Sequence, residues 1–286
     1  MAAVSKQRRN LKQFATYFFI ALLILCIPFI AAGFNFMKLS KTEISVQEEA
    51  YYPKSSDALT LLTAVRREEG DAPAILVLLK FDPSNGKIVI SAIPPETMVE
   101  DAGRFDAVSA VWKREGAQRA ARALETALYL SIDRWLDLEG EGFVSLADTV
   151  GAVDYMLESP LILNGMTAIE KGRQVLDGRR ILSILFAEGS SYGRLSTINS
   201  IAAETARQRI GMMNSSTVEA IFNAAVNSGR SDMTVADLEE RRHAVAYMLE
   251  RPLAVKEIPA TGSYNEAKNT FLPSAHFLAS IKKEFK

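Results

Sequence analysis

Histidine, cysteine and serine are the side chains whose chemistry is easiest to recognise by spacing, and here they offer little. The chain has two histidines, His243 and His276, and a single cysteine, Cys26. It contains no Walker phosphate loop, no nucleophile elbow and no Cys/His set at metal-ligand spacing. Neither histidine has a second ligand near it in sequence, so a surface or packing role is expected for both. No local signature joins either histidine to a serine, which leaves Ser-His catalysis unsupported. On spacing alone, catalytic residues stay unassigned and no metal ligands are named.

Charge narrows the partners. Residues 1–41 carry six cations and no acid, which leaves −7 on the remainder of a chain whose net charge is −1. An acidic domain has no electrostatic hold on phosphate backbones, so no nucleic acid is expected as a partner.

The elements that must position any site begin with a membrane anchor. Phe14–Phe36 is 23 residues without a charge, 13 of them Leu, Ile or Phe. At 1.5 Å per residue such a helix reaches roughly 35 Å, enough to cross a hydrocarbon core of about 30 Å. The cations ahead of it place the N-terminus in the cytoplasm. The run is too long for a cleaved signal peptide, and Ala31-Ala32-Gly33 is a weak cleavage site. Cys26 sits within the span, so no intramolecular disulfide is expected. The expected organisation is a cytoplasmic tail at 1–13, a transmembrane helix at 14–36, a juxtamembrane linker at 37–55 and an extracytoplasmic domain at 56–286. The expected location is the plasma membrane, single-pass, with the large domain outside and membrane lipid as one partner.

A mixed α/β pattern follows the linker. Leu59–Val65 predicts a strand, and the near-continuous apolar run Ala74–Phe81 predicts one covered on both faces. Asp82-Pro83-Ser84-Asn85-Gly86 is a turn, and Lys87–Ile93 returns as its hairpin partner. Ala117–Leu130 predicts a helix that buries Ala117, Ala120, Ala121, Leu124 and Leu128. A strand at Arg134–Leu138 and a helix at Gly142–Val150 come next, then helices at Ile198–Ile210 and Ser216–Asn227. Thr234–Leu249 opens on a capping box with Asp237. Val255–Ile258 predicts a strand and Ser274–Phe285 a closing helix.

Four blocks, taken in order, resemble the LytR-CpsA-Psr family of Gram-positive and related bacteria. Ile75–Thr97 resembles its strand, turn and Ile-Pro-Arg-Asp-Thr segment, and Gly103–Trp112 its Lys-(Ile/Leu)-Asn-Ala-Ala-Tyr segment. Trp135–Tyr155 resembles its Phe-Glu-Gly-Phe-Val block and Gly172–Leu185 its Leu-(Asp/Asn)-Gly block. The resemblance covers about Leu59 to Ile210 and, more weakly, the rest to Lys286. It implies an α/β/α sandwich with a central mixed sheet and an apolar groove for a polyprenyl chain. It also implies transfer of anionic glycopolymers from a polyprenyl-pyrophosphate carrier to peptidoglycan, which makes polyprenyl-linked glycan or peptidoglycan the expected partner.

The phosphate site of that pattern is largely missing. Its first Arg and Asp fall on Ala72 and Ala74, the Arg-Asp of the next block on Pro95 and Glu96, and a pair of arginines on Phe186 and Glu188. Thr97 and Arg194 are kept, while Thr197 stands where another arginine is expected. The candidates for contact with phosphate are therefore Arg194, Glu96, Thr97, Arg104 and Arg66, with Arg67, Lys80, Arg179 and Arg180 as further cations nearby in sequence. No cofactor is assigned, and Mg²⁺ is expected only if the site is active. One such arginine is worth roughly 10³ to 10⁵ in phosphoryl-transfer rate. Two readings follow: a binding protein of envelope assembly with degenerate catalysis, or an active phosphotransferase with a rewired site.

Overall fold

The computed structural model describes residues 51–286 apart from 164 and 188–190. The expected span at 14–36 lies outside them, and among the described residues no helix is long and apolar enough to cross a membrane. The compact unit begins at Tyr51.

The predicted hairpin forms the centre of the sheet. Strand β1 (Leu59–Arg66) pairs antiparallel with β2 (Ile75–Asp82), which pairs antiparallel with β3 (Lys87–Ile93). The Asp82 carboxylate accepts from the Asn85 backbone N–H, and Gly86 takes φ +61°, a conformation that favours glycine. A small hairpin, β4 (Met98–Asp101) and β5 (Arg104–Ala107), leads into helices α1 (Val108–Glu115) and α2 (Ala117–Leu128), parted by Gly116. Strand β6 (Arg134–Glu139) then lies parallel to β1. Helix α3 (Gly140–Val150) follows. Two further hairpins come from β7 (Val153–Leu157), β8 (Leu161–Leu163), β9 (Met166–Ile169) and β10 (Gly172–Leu176). Helices α4 (Gly178–Leu185), α5 (Ser191–Ile210) and α6 (Ser215–Asn227) precede the short strand β11 (Gly229–Ser231).

The capping box at Thr234 and Asp237 is present, but the expected helical region breaks at Arg241 into α7 (Val235–Glu240) and α8 (Arg242–Leu249). Strand β12 (Ala254–Glu257) closes the sheet edge beside β3, and β13 (Gly262–Asn265), β14 (Thr270–Pro273) and α9 (Ala275–Phe285) end the chain. The six-stranded mixed sheet has the order β11-β6-β1-β2-β3-β12.

Helices cover both faces. On one face, Leu62, Ala64, Leu76, Leu78 and Val89 pack against Val111 and Trp112 of α1, Leu124 and Leu128 of α2, and Phe277 and Ile281 of α9. The α2 stripe predicted from helical spacing is buried as read. On the other face, Val65, Ile75 and Ala92 meet Leu185, Leu195 and Ile198 of α4 and α5, while Leu138 meets Ala225 of α6. This is the expected α/β/α layering.

At the turn end of the sheet, α9 is held by charge. Glu284 accepts from Lys256 Nζ at 2.7 Å and Lys87 Nζ at 2.8 Å, and its side chain is 7% exposed. These bonds, Lys256's first, hold its carboxyl at about 2 rather than 4.5. A depressed acid stabilises the fold above its unfolded value and loses that contribution as pH falls through the folded one. Up to about 3 kcal/mol should therefore disappear between pH 4.5 and 2. Urea midpoints across that window should fall more steeply in the wild type than in Glu284→Gln. Parallel slopes would contradict the assignment.

Candidate functional site

Because β1, β3 and β6 run in the same direction, their C-terminal ends share one edge, with the end of α4 and the start of α5 above it. The sequence candidates scatter here rather than converge. Arg66 ends β1 and is 2% exposed. Its Nε donates to Asp137 at 2.9 Å and its Nη2 to Glu139 at 3.1 Å, while Arg230 reaches the second Asp137 oxygen at 2.6 Å. Its charge is thus neutralised inside the fold and is not offered to a phosphate.

Arg67 lies over the Phe186 ring at 4.8 Å, returning a cation beside a position where the family resemblance expects arginine. Together Arg66, Arg67, Glu139, Glu141, Asn227 and Arg230 border a polar cavity of about 720 Å³.

Strand β2 separates this cluster from the turn after β3, a distance of roughly 10 Å for two strand spacings. In that turn Pro94 and Pro95 are buried, Glu96 is 8% exposed and Thr97 is fully buried. Thr97 faces inward: both its N–H and its hydroxyl donate to the Pro94 carbonyl, at 3.0 and 2.7 Å. The hydroxyl is therefore committed to the turn, which corrects its expected role toward phosphate.

Arg194, in the first turn of α5, feels the Glu96 charge. Burial pushes its guanidinium pKa down, and Glu96 partly restores it. Beside them Tyr192 stacks on Tyr264 at 5.3 Å and meets Phe271 at 5.2 Å. Burial, with Glu96 and Glu266 nearby, pushes the Tyr264 phenol up.

Arg104 is exposed at the last pair of the β4–β5 hairpin, away from Thr97 at the hairpin's other end. Lys80 lies at the opposite end of the sheet and donates to the Lys286 main-chain oxygen. Arg179 pairs with Glu141, and Arg180 donates to the Val175 carbonyl. Of the five phosphate candidates, the fold brings together Glu96 and Arg194 and leaves Arg66, Thr97 and Arg104 otherwise engaged or apart.

The groove is intact. A cavity of about 320 Å³ lies between the sheet and α3, α4 and α5. Its floor is Val65, Ile75, Val77, Leu79, Ile88 and Ile90, and its roof includes Phe143, Ile181, Leu185, Ile198 and Ala202. Leu195 packs behind the end nearest Arg194, where Val65, Ile75, Leu185 and Ile198 are buried. Such walls suit an apolar chain.

The donor set does not fit a resident Mg²⁺. Among the described residues no three carboxylate, histidine or cysteine groups gather. Ala72 and Ala74 supply no oxygen ligands from their side chains, and Glu96 faces a cation. His243 and His276 are both exposed, and His243 packs against Tyr51 at 5.6 Å, so both sit at the surface as expected.

The model of the LytR_cpsA_psr family matches residues 65–286. This chain belongs to the LytR_cpsA_psr family. A curated relative is the polyisoprenyl-teichoic acid–peptidoglycan teichoic acid transferase TagV of Bacillus subtilis (strain 168). It is 21% identical over 136 residues, which are 46% of this chain and 34% of that relative. The chain therefore spans about a third of the relative's length. A putative transcription regulator from Eubacterium siraeum DSM 15702 superposes with a TM-score of 0.73 at 15% identity, over 84% of this chain and 95% of that one. TagT bound to LIIa-WTA superposes with a TM-score of 0.63 at 16% identity, over 86% and 96%. At these identities the structural likenesses establish the LytR_cpsA_psr fold and leave the site to its own residues.

Two features of this end of the fold are not legible in the sequence. One is the polar cavity around Asp137 and Arg230, residues far apart in the chain. The other is Arg209, which lines the apolar cavity near the end of α5. An apolar α5 face interrupted by one arginine was the available signal.

Proposed function

We propose that this chain is a membrane-anchored protein of cell-envelope assembly that binds the prenyl chain of a polyprenyl-linked glycan and does not split its pyrophosphate. Its organisation in this reading is a cytoplasmic tail at 1–13, a membrane span at 14–36, a linker, and a domain outside the plasma membrane. The observation that carries the reading is a preserved apolar cavity of about 320 Å³ beside an edge where Ala72, Ala74, Pro95 and Phe186 stand in place of charged groups. The curated relative is named for a polyisoprenyl-linked substrate, which supports the ligand class. Phosphoryl transfer depends on neutralising the developing oxygen charges, and each lost arginine removes roughly 10³ to 10⁵ in rate.

The test is an assay of the full-length chain with a polyprenyl pyrophosphate and Mg²⁺. Bound lipid without phosphate release is the expected result. Release that disappears in Arg194→Ala would refute it. An active phosphotransferase is favoured by one observation, the Arg67 guanidinium over Phe186, and turnover abolished by Arg67→Ala would establish that reading instead.

A further inference from the structure

Among the described residues, Arg209 is the one charged residue lining the apolar cavity. Among the described residues its buried Nε has no hydrogen-bond partner and its guanidinium joins no ion pair. Its neighbour Arg207 contrasts with it, being paired to Glu204 and Glu257. A buried donor left without an acceptor is costly, and an anionic oxygen is its natural complement. Room for it is made by Gly151, where a Cβ would stand 3.2 Å from the Arg209 Nε.

Val65, Ile75, Leu185 and Ile198, toward Arg194, are buried. Leu79, Ala206, Ile210 and Met213, toward Arg209, are only partly buried, and Met212 beside them is 74% exposed. The Arg209 end of the cavity is therefore open. Fifteen helical residues of α5 put Arg194 and Arg209 roughly 22 Å apart.

We propose that the Arg209 end of the cavity is a binding site for a single-chain anionic amphiphile, its apolar chain inside and its phosphate on Arg209. The inference rests on the reading of the cavity as a prenyl site, but it moves the phosphate to the end opposite Arg194. A cavity of about 320 Å³ has room for a short prenyl chain. Farnesyl phosphate is a soluble probe of that kind.

Native mass spectrometry of the full-length chain in detergent, with farnesyl phosphate and farnesol compared, tests it. The phosphate should bind roughly tenfold more tightly than the alcohol. R209Q should erase that preference while still binding farnesol, and R209K should keep most of it. A preference that survives in R209Q, or that is lost in R194Q instead, overturns the proposal while leaving the prenyl cavity standing. If neither lipid binds, the prenyl reading fails and this inference falls with it. Should R209Q not fold, R209K decides: preference kept supports the site, preference lost refutes it.

Discussion

Ala202→Trp is expected to weaken binding of a prenyl ligand by more than about a hundredfold. Ala202 lines the roof of the cavity on α5 and packs beside the cluster of Ile88, Ile90 and Ala203. An indole there projects into a space of about 320 Å³ and displaces at least one isoprene unit. At roughly 0.8 kcal/mol per buried CH₂, losing a five-carbon unit costs about 3–4 kcal/mol. Overpacking itself costs about 1–3 kcal/mol of stability, which a 236-residue unit can tolerate. Titration of farnesyl phosphate against the series Ala202→Val, Ala202→Leu and Ala202→Trp should show a graded loss. Unchanged affinity across the series would mean that the cavity is not where the chain binds.

The second large effect concerns the fold beneath the polar cavity. Asp137→Asn should destabilise the domain by about 3–5 kcal/mol, because it leaves Arg66 buried beside a neutral partner. The Asp137 side chain is fully buried and the Arg66 side chain is 3% exposed, so water cannot replace the lost charge. Glu139 remains at 3.1 Å, but its side chain is 49% exposed and screened. Glu139→Gln should therefore cost no more than about 1 kcal/mol. Urea denaturation of both variants checks the contrast. Equal and small losses would show that the pair contributes no more than a surface bridge.

The backbone of the fold was legible where local rules and burial agree. The turn at 82–86 is written in Asp, Pro, Asn and Gly, and the α2 stripe in its alanines and leucines. The run at 75–82 misled in an informative way. The sequence predicts Ala74–Phe81 to be covered on both faces, yet Val77 and Leu79 are only partly buried because they floor the cavity. Hydrophobicity does not distinguish a wall packed by protein from one that awaits a ligand. The break at Arg241 and the hairpins from Val153 to Leu176 were not seen, since short strands and short helices carry too little periodicity.

At the site, the family pattern singles out Glu96 and Arg194, and it is the fold that brings them together. The pattern did not reveal that Arg66 is consumed by Asp137, 71 residues away. Nor did it reveal that Thr97 turns its hydroxyl inward. Those outcomes depend on which strand lies next to which, and no local spacing encodes that.

The strand order also dictates when the domain can mature. Both outer strands, β11 at Gly229–Ser231 and β12 at Ala254–Glu257, are encoded late, whereas β1 to β3 are complete by Ile93. A chain emerging from its N-terminus therefore carries the unpaired flanks of β3, and later of β6, until its last sixty or so residues arrive. Exposed flanks of that kind template aggregation between chains. Folding is thus committed only near the end of synthesis, and a chain interrupted before Ala254 would be sticky rather than merely shorter.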